Sequence, residues 1–580
     1  CDNANCNGAP IRKDPCWDQV KHLAVQVQCH SPPTPSTNYI VDFGKNLAGV
    51  VRLSGIKEAN GTQITMRHAE ILQHAGLPGL PNPDPTDIYQ DNLRSAKATD
   101  TYTCRGDAEG ETYTPSMTYH GFRFVEIAGL SAPPSQVELL HFHSDVPKRT
   151  VTNFSSPTLN RILTMAIGSQ ESNMMTVPTD CDQRDERLGW MGDADLSSDS
   201  MCVNFDCSAF FYSYLAAMSD ELIADGSLTD TVPWVRYGGR PGDVSWTSAF
   251  PQYAWTLFKY LGDTAPAKQY FNDIISQLGN IEAQAAAHGI CQMSTPYGDW
   301  CPPPSTPGKG HGAKPSRPYT SVFSYANMAA QAAELAQALK DPSYDKLNSL
   351  AKNLTASFND CFDPKASGLY DNGIMTNDVL ALQLGAADAA STTEKVQTHL
   401  VSSIQNNTNH FTTGIIGFKF LFKQLSAAKH DDVAHAVLEQ TTYPAIGYEA
   451  TNTLEPATFN VWELTDAPFE GTGMNSRNHH MFSSFSLYLQ EDLAGIKLRH
   501  TAASEEDGAV RSHLQFKPAS VLGLRAASTK VNMPHGVAEH SWQRHGGVQC
   551  AQVWRVFDKN NIRHLCVAPQ CCFNVCMYNR

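Results

Sequence analysis

The stretch Thr176-Val177-Pro178-Thr179-Asp180-Cys181-Asp182-Gln183-Arg184-Asp185-Glu186-Arg187-Leu188-Gly189-Trp190-Met191-Gly192-Asp193-Ala194-Asp195 holds six carboxylates within sixteen positions. Pro178, Gly189 and Gly192 oppose a regular helix, so the segment is expected to be irregular and able to turn several side chains toward one point. Crowded carboxylates do not all ionise cheaply. One is expected to hold its proton to higher pH, which is the property of a general acid. Arg184 and Arg187 would keep the others charged and in place. A solvated acidic loop or a calcium site also fits this composition. The spacing, however, lacks the D-x-D-x-D-G pattern of an EF-hand, and Leu188, Trp190 and Met191 are too apolar for a solvated loop. A Trp beside carboxylates suits a sugar, because its face covers C–H groups while the acids take hydroxyls.

Elements able to position such a segment lie on both sides of it. From roughly Tyr39 to His143 short alternating runs, such as Gln63–Arg67 and Phe122–Glu126, are separated by Gly, Pro, Asn and Asp clusters and read as a β-sandwich. The run Leu80-Pro81-Asn82-Pro83-Asp84-Pro85 inside it reads as an extended loop. From about Ser156 to Gly495 helical periodicity dominates, as in Tyr325–Leu339 and Asp378–Ala390, with long irregular joins at Val232–Pro251 and Ser294–Pro318. Alternation returns in Val537–Arg544 and Val548–Phe557. The expected division is a β-domain over 1–150, a helical domain over 151–496, and a small β-domain with a Cys-rich tail over 497–580.

Asp180 to Asp193 resembles the signature D-C-P-Q-R-D-E-R-x-G-W-x-G-D of glycoside hydrolase family 78, the α-L-rhamnosidases, with Asp182 in place of the Pro. The resemblance implies that Glu186 is the general acid and that Asp180, Arg184, Trp190 and Asp193 hold the substrate. Two-carboxylate glycoside hydrolysis requires a second carboxylate. Phe459-Asn460-Val461-Trp462-Glu463-Leu464 resembles the family's T-T-x-W-E segment and points to Glu463 as general base. Gly473-Met474-Asn475-Ser476-Arg477-Asn478-His479-His480 resembles its G-M-N-S-x-N-H run, which implies a sugar contact for His479. The family's W-G-D-A element is matched only as Trp246-Thr247-Ser248-Ala249, and its G-D-W element as Gly298-Asp299-Trp300, so Trp246, Asp299 and Trp300 are expected at the pocket. Thr465 stands where relatives carry a second Trp after the base.

Further matches are Asp42–Gly49 to D-F-G-Q-N-x-x-G, Asn92-Leu93-Arg94 to N-L-R, and Thr118–Arg123 to T-Y-H-G-F-R. The implied fold is multidomain, with a central all-α (α/α)6 six-hairpin toroid flanked by N-terminal and C-terminal β-sandwich domains. The implied activity is exo-acting, inverting removal of terminal α-L-rhamnose from a carbohydrate, with no cofactor and no metal. A glycan-binding protein that has lost turnover, or a polysaccharide lyase on a similar toroid, is the competing reading.

Composition narrows the classes. With 580 residues, 41% hydrophobic and 17% charged, and a mean hydropathy of -0.33, the chain is expected to be a soluble multidomain protein. A net charge of -15 argues against nucleic acid as a partner. No run is long and apolar enough to suggest a membrane span, and Cys1–Pro10 lacks a signal-peptide core, so any leader is expected to be gone. Sixteen cysteines without a C-x-x-C pair argue against a zinc ribbon. Cys1, Cys6, Cys16 and Cys29 cluster at one end and Cys566, Cys571, Cys572 and Cys576 at the other, which suggests disulfides. With the sequons at Asn60, Asn153, Asn353 and Asn406, this points to a secreted glycoprotein. There is no G-x-S-x-G elbow, H-E-x-x-H or G-x-x-x-x-G-K loop.

Overall fold

The computed structural model describes residues 37–566, apart from 294–295, 363–368, 388, 456–458, 503–509, 534–535, 546–547 and 559–560. The terminal cysteine clusters lie outside the described residues, except for the backbone of Cys566.

The N-terminal domain is built on one long strand, Thr37–Ile56, whose alternating apolar residues face a core of Val41, Phe43, Val51, Leu53, Met66 and Phe122. Its first half pairs antiparallel with His120–Leu130, and its second half with Gln136–His141 and Glu111–Tyr113. The change of partner falls at Gly49, where a Cβ would collide with the Leu140 carbonyl, so the turn-over of the sheet needs glycine. Gln63–Ala69 and Thr99–Thr103 extend the other edge. The proline-rich run from Leu80 to Pro85 is a loop, as expected.

The helical domain is a double ring. Six inner segments contact one another in a closed circuit: Met191–Asn204, Ala249–Thr256, Arg317–Leu339, Met375–Leu384, Ile415–Ala427 and Phe485–Tyr488, the last returning to the first. Outside them lie Pro157–Asn173, Ser208–Glu221, Ala265–His288, Tyr344–Phe362, Ala390–Asn406 and Asp431–Glu439. This is the six-hairpin toroid. Inner helices are buried on nearly every side, whereas outer ones such as Tyr344–Phe362 bury only a stripe, Leu347, Leu354, Phe358 and Phe362. Local chemistry sets the ends. Ser156 caps Pro157–Asn173 by accepting from the Leu159 N–H, and Pro157 suits the first turn because its missing N–H has no partner there. The helical run expected over Asp378–Ala390 is broken at Gly385, whose φ of 68° ends one helix before Ala390 starts the next.

C-terminal to the toroid, Ile496–Thr501 pairs with Arg511–Phe516, and a second sheet runs in the order Asn561–Cys566, Val548–Asp558, Gly536–His545, Ala526–Met533, Thr150–Phe154. The strand that precedes the first helix therefore belongs to the C-terminal sheet, pairing Val531 with Thr150 through Ala527 with Phe154.

Candidate active site

The residues singled out by the sequence gather where the inner helices begin. Asp193 is in the first turn of Met191–Asn204, Trp246 lies in Val244–Thr247 just before Ala249–Thr256, and His479 precedes Phe485–Tyr488. The segment from Met175 to Trp190 is irregular as expected, but Gly192, Asp193 and Asp195 are helical. Gly192 is required there because a Cβ would enter the Trp246 indole.

Arg184 is the hub. Its Nη1 donates to Glu463 Oε2 at 2.5 Å and its Nη2 to Glu463 Oε1 at 3.0 Å, a bidentate pair. Its Nε donates to Glu186 Oε2 at 3.1 Å, and its Nη2 lies 2.9 Å from the same oxygen. One guanidinium thus carries both expected catalytic carboxylates. Trp190 Nε1 donates to Glu186 Oε1 at 2.8 Å. Glu463 also accepts from the Ser476 N–H at 3.0 Å. Burial alone would raise the Glu463 carboxyl, but Arg184, His479 and these bonds outweigh it and hold it at about 2.

His479 donates from Nε2 to Asp193 Oδ1 at 2.8 Å. Burial disfavours its charge, yet Glu463 and Asp193 raise it to about 9, so it is an imidazolium at neutral pH. Its Nδ1 is buried and has no hydrogen-bond partner among the described residues. Asp180 Oδ1 accepts from the Leu188 N–H at 2.7 Å and Oδ2 faces the Cys181 thiol at 2.9 Å; burial and the neighbouring Glu186 push its carboxyl upward. Asp182, the departure from the family signature, is fully buried and raised to about 7 by burial. Neighbouring carboxylates thus add to burial at Asp180, whereas Asp182 is raised by burial alone.

Tyr297 ties the aromatic residues together: its ring centroid lies 5.8 Å from Trp190, 4.6 Å from Trp246 and 5.7 Å from Trp300. Trp190 and Trp300 are partly exposed, while Trp246 is buried behind them. Asp299 requires a correction. Instead of a substrate contact it is a buried helix cap, accepting from the N–H groups of Gly414, Ile416 and Gly417 at 2.8, 2.9 and 3.2 Å and from Thr376 Oγ1 at 2.5 Å. Four donors satisfy its two oxygens and fix the start of Ile415–Ala427. Thr465 is buried.

Sequence reasoning missed Tyr297 and the reach of the N-terminal domain. Arg94 of that domain donates to Glu186 Oε2 at 2.6 Å and pairs with Asp185 Oδ1 at 2.8 Å. Glu70, buried and raised to about 8 by burial and Asp182, accepts from the Arg477 N–H and from Asn46 and Asn92. The run Asn92-Leu93-Arg94 was a visible signal, but its target lies about ninety residues away in sequence. A separate cavity of ≈ 750 Å³ lies among the C-terminal halves of the inner helices, lined by Asp199, Lys259, Lys423 and Arg499 among others, and neither Glu186 nor Glu463 lines it.

Two glutamates on one guanidinium, walled by tryptophans at the mouth of a double helical ring, place the chain in the six-hairpin glycosidase class. Residues 148–493 match the family model of the bacterial α-L-rhamnosidase six-hairpin glycosidase domain, and residues 33–144 match that of the bacterial α-L-rhamnosidase concanavalin-like domain. The chain belongs to the bacterial α-L-rhamnosidase family. It is 30% identical over 542 residues to an α-L-rhamnosidase of Streptomyces avermitilis, covering 89% of this chain and 47% of that protein. It is also 30% identical over 523 residues to one of Alteromonas sp. strain LOR, covering 87% and 53%. The chain thus spans about half the length of these curated relatives. Among solved structures, α-L-rhamnosidase of Dictyoglumus thermophilum superposes with TM-score 0.79 at 29% identity, over 93% of this chain and 57% of that one. The S. avermitilis enzyme complexed with L-rhamnose gives TM-score 0.79 at 27% identity, over 92% and 49%.

Proposed function

We propose that this chain is an exo-acting α-L-rhamnosidase that hydrolyses terminal α-L-rhamnosides with inversion, Glu186 protonating the leaving oxygen and Glu463 deprotonating the attacking water. The observation that carries this reading is the sharing of Arg184 by Glu186 and Glu463. One guanidinium standing between the two carboxylates holds them apart, and an inverting mechanism expects their separation at about 6.5–9.5 Å, not at the retaining spacing of about 5–5.5 Å. Glu463 stays charged across the working pH range and can accept a proton from water. The unpartnered Nδ1–H of the His479 imidazolium offers a charged donor to a sugar hydroxyl, and Trp190 and Trp300 offer faces for its C–H groups. The family's names and the L-rhamnose complex of a structural neighbour support rhamnose as the sugar.

The test is hydrolysis of p-nitrophenyl α-L-rhamnopyranoside by wild type, Glu186→Gln and Glu463→Gln, with the first-formed anomer followed by NMR. The expected result is β-rhamnose first, and a loss of about a thousandfold or more in kcat for Glu463→Gln. The α-anomer appearing first would overturn inversion, and full activity in either variant would overturn its assignment. Secretion is part of the proposal. Asn60, Asn153, Asn353 and Asn406 are all exposed, and Cys291 and Cys361 form a disulfide, both of which suit an oxidising, glycosylating route. Intact mass of the natively produced protein before and after enzymatic deglycosylation reads this directly, and an unchanged mass counts against it.

A further inference from the structure

We propose that the turn Asn92-Leu93-Arg94 of the N-terminal β-domain positions the catalytic pair, Arg94 by holding Glu186 directly and Asn92 by bracing the loop that holds Glu463. This rests on the rhamnosidase reading of the two glutamates and deepens it. Arg94 meets Glu186 and Asp185 together, and its neighbour Ser95 donates from Oγ to Asp185, so two adjacent residues of the β-domain grip two adjacent acids of the catalytic segment. Asn92 Nδ2 donates to Glu70 Oε2 at 2.9 Å and to the Asn475 carbonyl at 3.1 Å, while Glu70 accepts from the Arg477 N–H at 3.0 Å. Between Asn475 and Arg477 sits Ser476, whose N–H binds Glu463. One turn therefore touches the surroundings of both carboxylates.

The backbone marks this turn as selected for its side chain. Arg94 has φ 56° and ψ -115°, and the Ala96 N–H closes on the Leu93 carbonyl at 3.1 Å. Those angles belong to the first central position of a type II′ turn, where glycine is favoured and a side chain is strained. A strained arginine bonded to a general acid fits a functional role, whereas a turn kept only for stability would carry glycine.

The experiment compares Arg94→Gly, Arg94→Ala and Arg94→Lys in the full chain by melting temperature and by kinetics on p-nitrophenyl α-L-rhamnopyranoside. Arg94→Gly is expected to melt no lower than wild type while kcat falls about a hundredfold, the scale of a misplaced catalytic group. KM should change much less than kcat, and Arg94→Lys should recover part of the loss. Wild-type kcat in Arg94→Gly, or a kcat loss that merely follows a lowered melting temperature, would overturn the proposal. If wild type itself releases no rhamnose, the functional reading fails. A crystal structure of Arg94→Gly then decides the positioning claim: a Glu186 carboxylate swung off Trp190 Nε1 supports it, and an unmoved one overturns it.

Discussion

Arg184 sets the charge of the site, and its removal is the sharpest test at the level of single residues. It is 3% exposed at its side chain, as is Glu463, so Arg184→Met would leave a buried carboxylate without its counter-charge. We expect a loss of about 3–5 kcal/mol in stability, read by urea unfolding, and an acid limb of kcat/KM displaced to higher pH. The pH sense of the two charged neighbours is opposite. Glu463 is depressed from 4.5 to about 2, so its stabilisation is complete above 4.5 and is lost as pH falls toward 2. His479 is raised from 6.5 to about 9, so its stabilisation is complete below 6.5 and is lost as pH rises through 9. These two groups together therefore favour the folded state most between about pH 4.5 and 6.5.

At the scale of elements, the irregular segment before Trp190 is clamped between the helical ring and the β-domain. Gly121, at the start of His120–Leu130, leaves no room for a Cβ against Asp182, and Arg187 crosses the Tyr119 ring at 4.3 Å while its Nη1 donates to the Tyr119 carbonyl. Asp182 Oδ2 accepts from Asn478 at 2.6 Å, but its Oδ1 has no partner in another of the described residues. Asp182 and Glu70 are raised to about 7 and 8, so the folded chain keeps protons that the unfolded chain has already lost, and these groups cost stability as pH rises from about 4 to 8. Asp182→Asn is accordingly expected to be near neutral at pH 4 and stabilising at pH 8. Urea midpoints at the two pH values check this, and a variant equally destabilised at both would refute the charge argument.

The whole molecule is held by long-range ties that no single element supplies. The Cys291–Cys361 disulfide joins the end of one outer hairpin to the next across 70 residues of chain. Closing a loop of that length stabilises by about 4 kcal/mol in the chain-entropy picture. Cys361→Ser should therefore lower the unfolding free energy of the helical domain by about that amount while leaving kcat within about twofold, because the site lies on other elements. The strand Thr150–Phe154 stitches the C-terminal sheet to the first helix, and the β-domain reaches the site through Arg94 and Glu70, so the three parts share their boundaries.

The sequence by itself determined the β, α, β order, because period-two and period-3.6 patterns are properties of neighbouring residues. It also singled out the short runs whose side chains meet in the folded chain, since Asp180–Asp193 and the run to His480 are contiguous and unusual in composition. What it could not determine was partnership. Asp299 reads as a pocket acid beside a Trp, and only the packed ring shows its oxygens taken by the first N–H groups of a helix more than a hundred residues later. Tyr297 directly precedes Gly298-Asp299-Trp300, yet it becomes the centre of the aromatic wall only when three separate segments meet. Arg94 lies in a different domain from the acid it grips. Hydrogen bonds and charge pairing act over a few ångströms in space and are blind to separation along the chain, so which carboxylate is raised by burial, which is capped and which pair shares Arg184 was decided only by the tertiary structure.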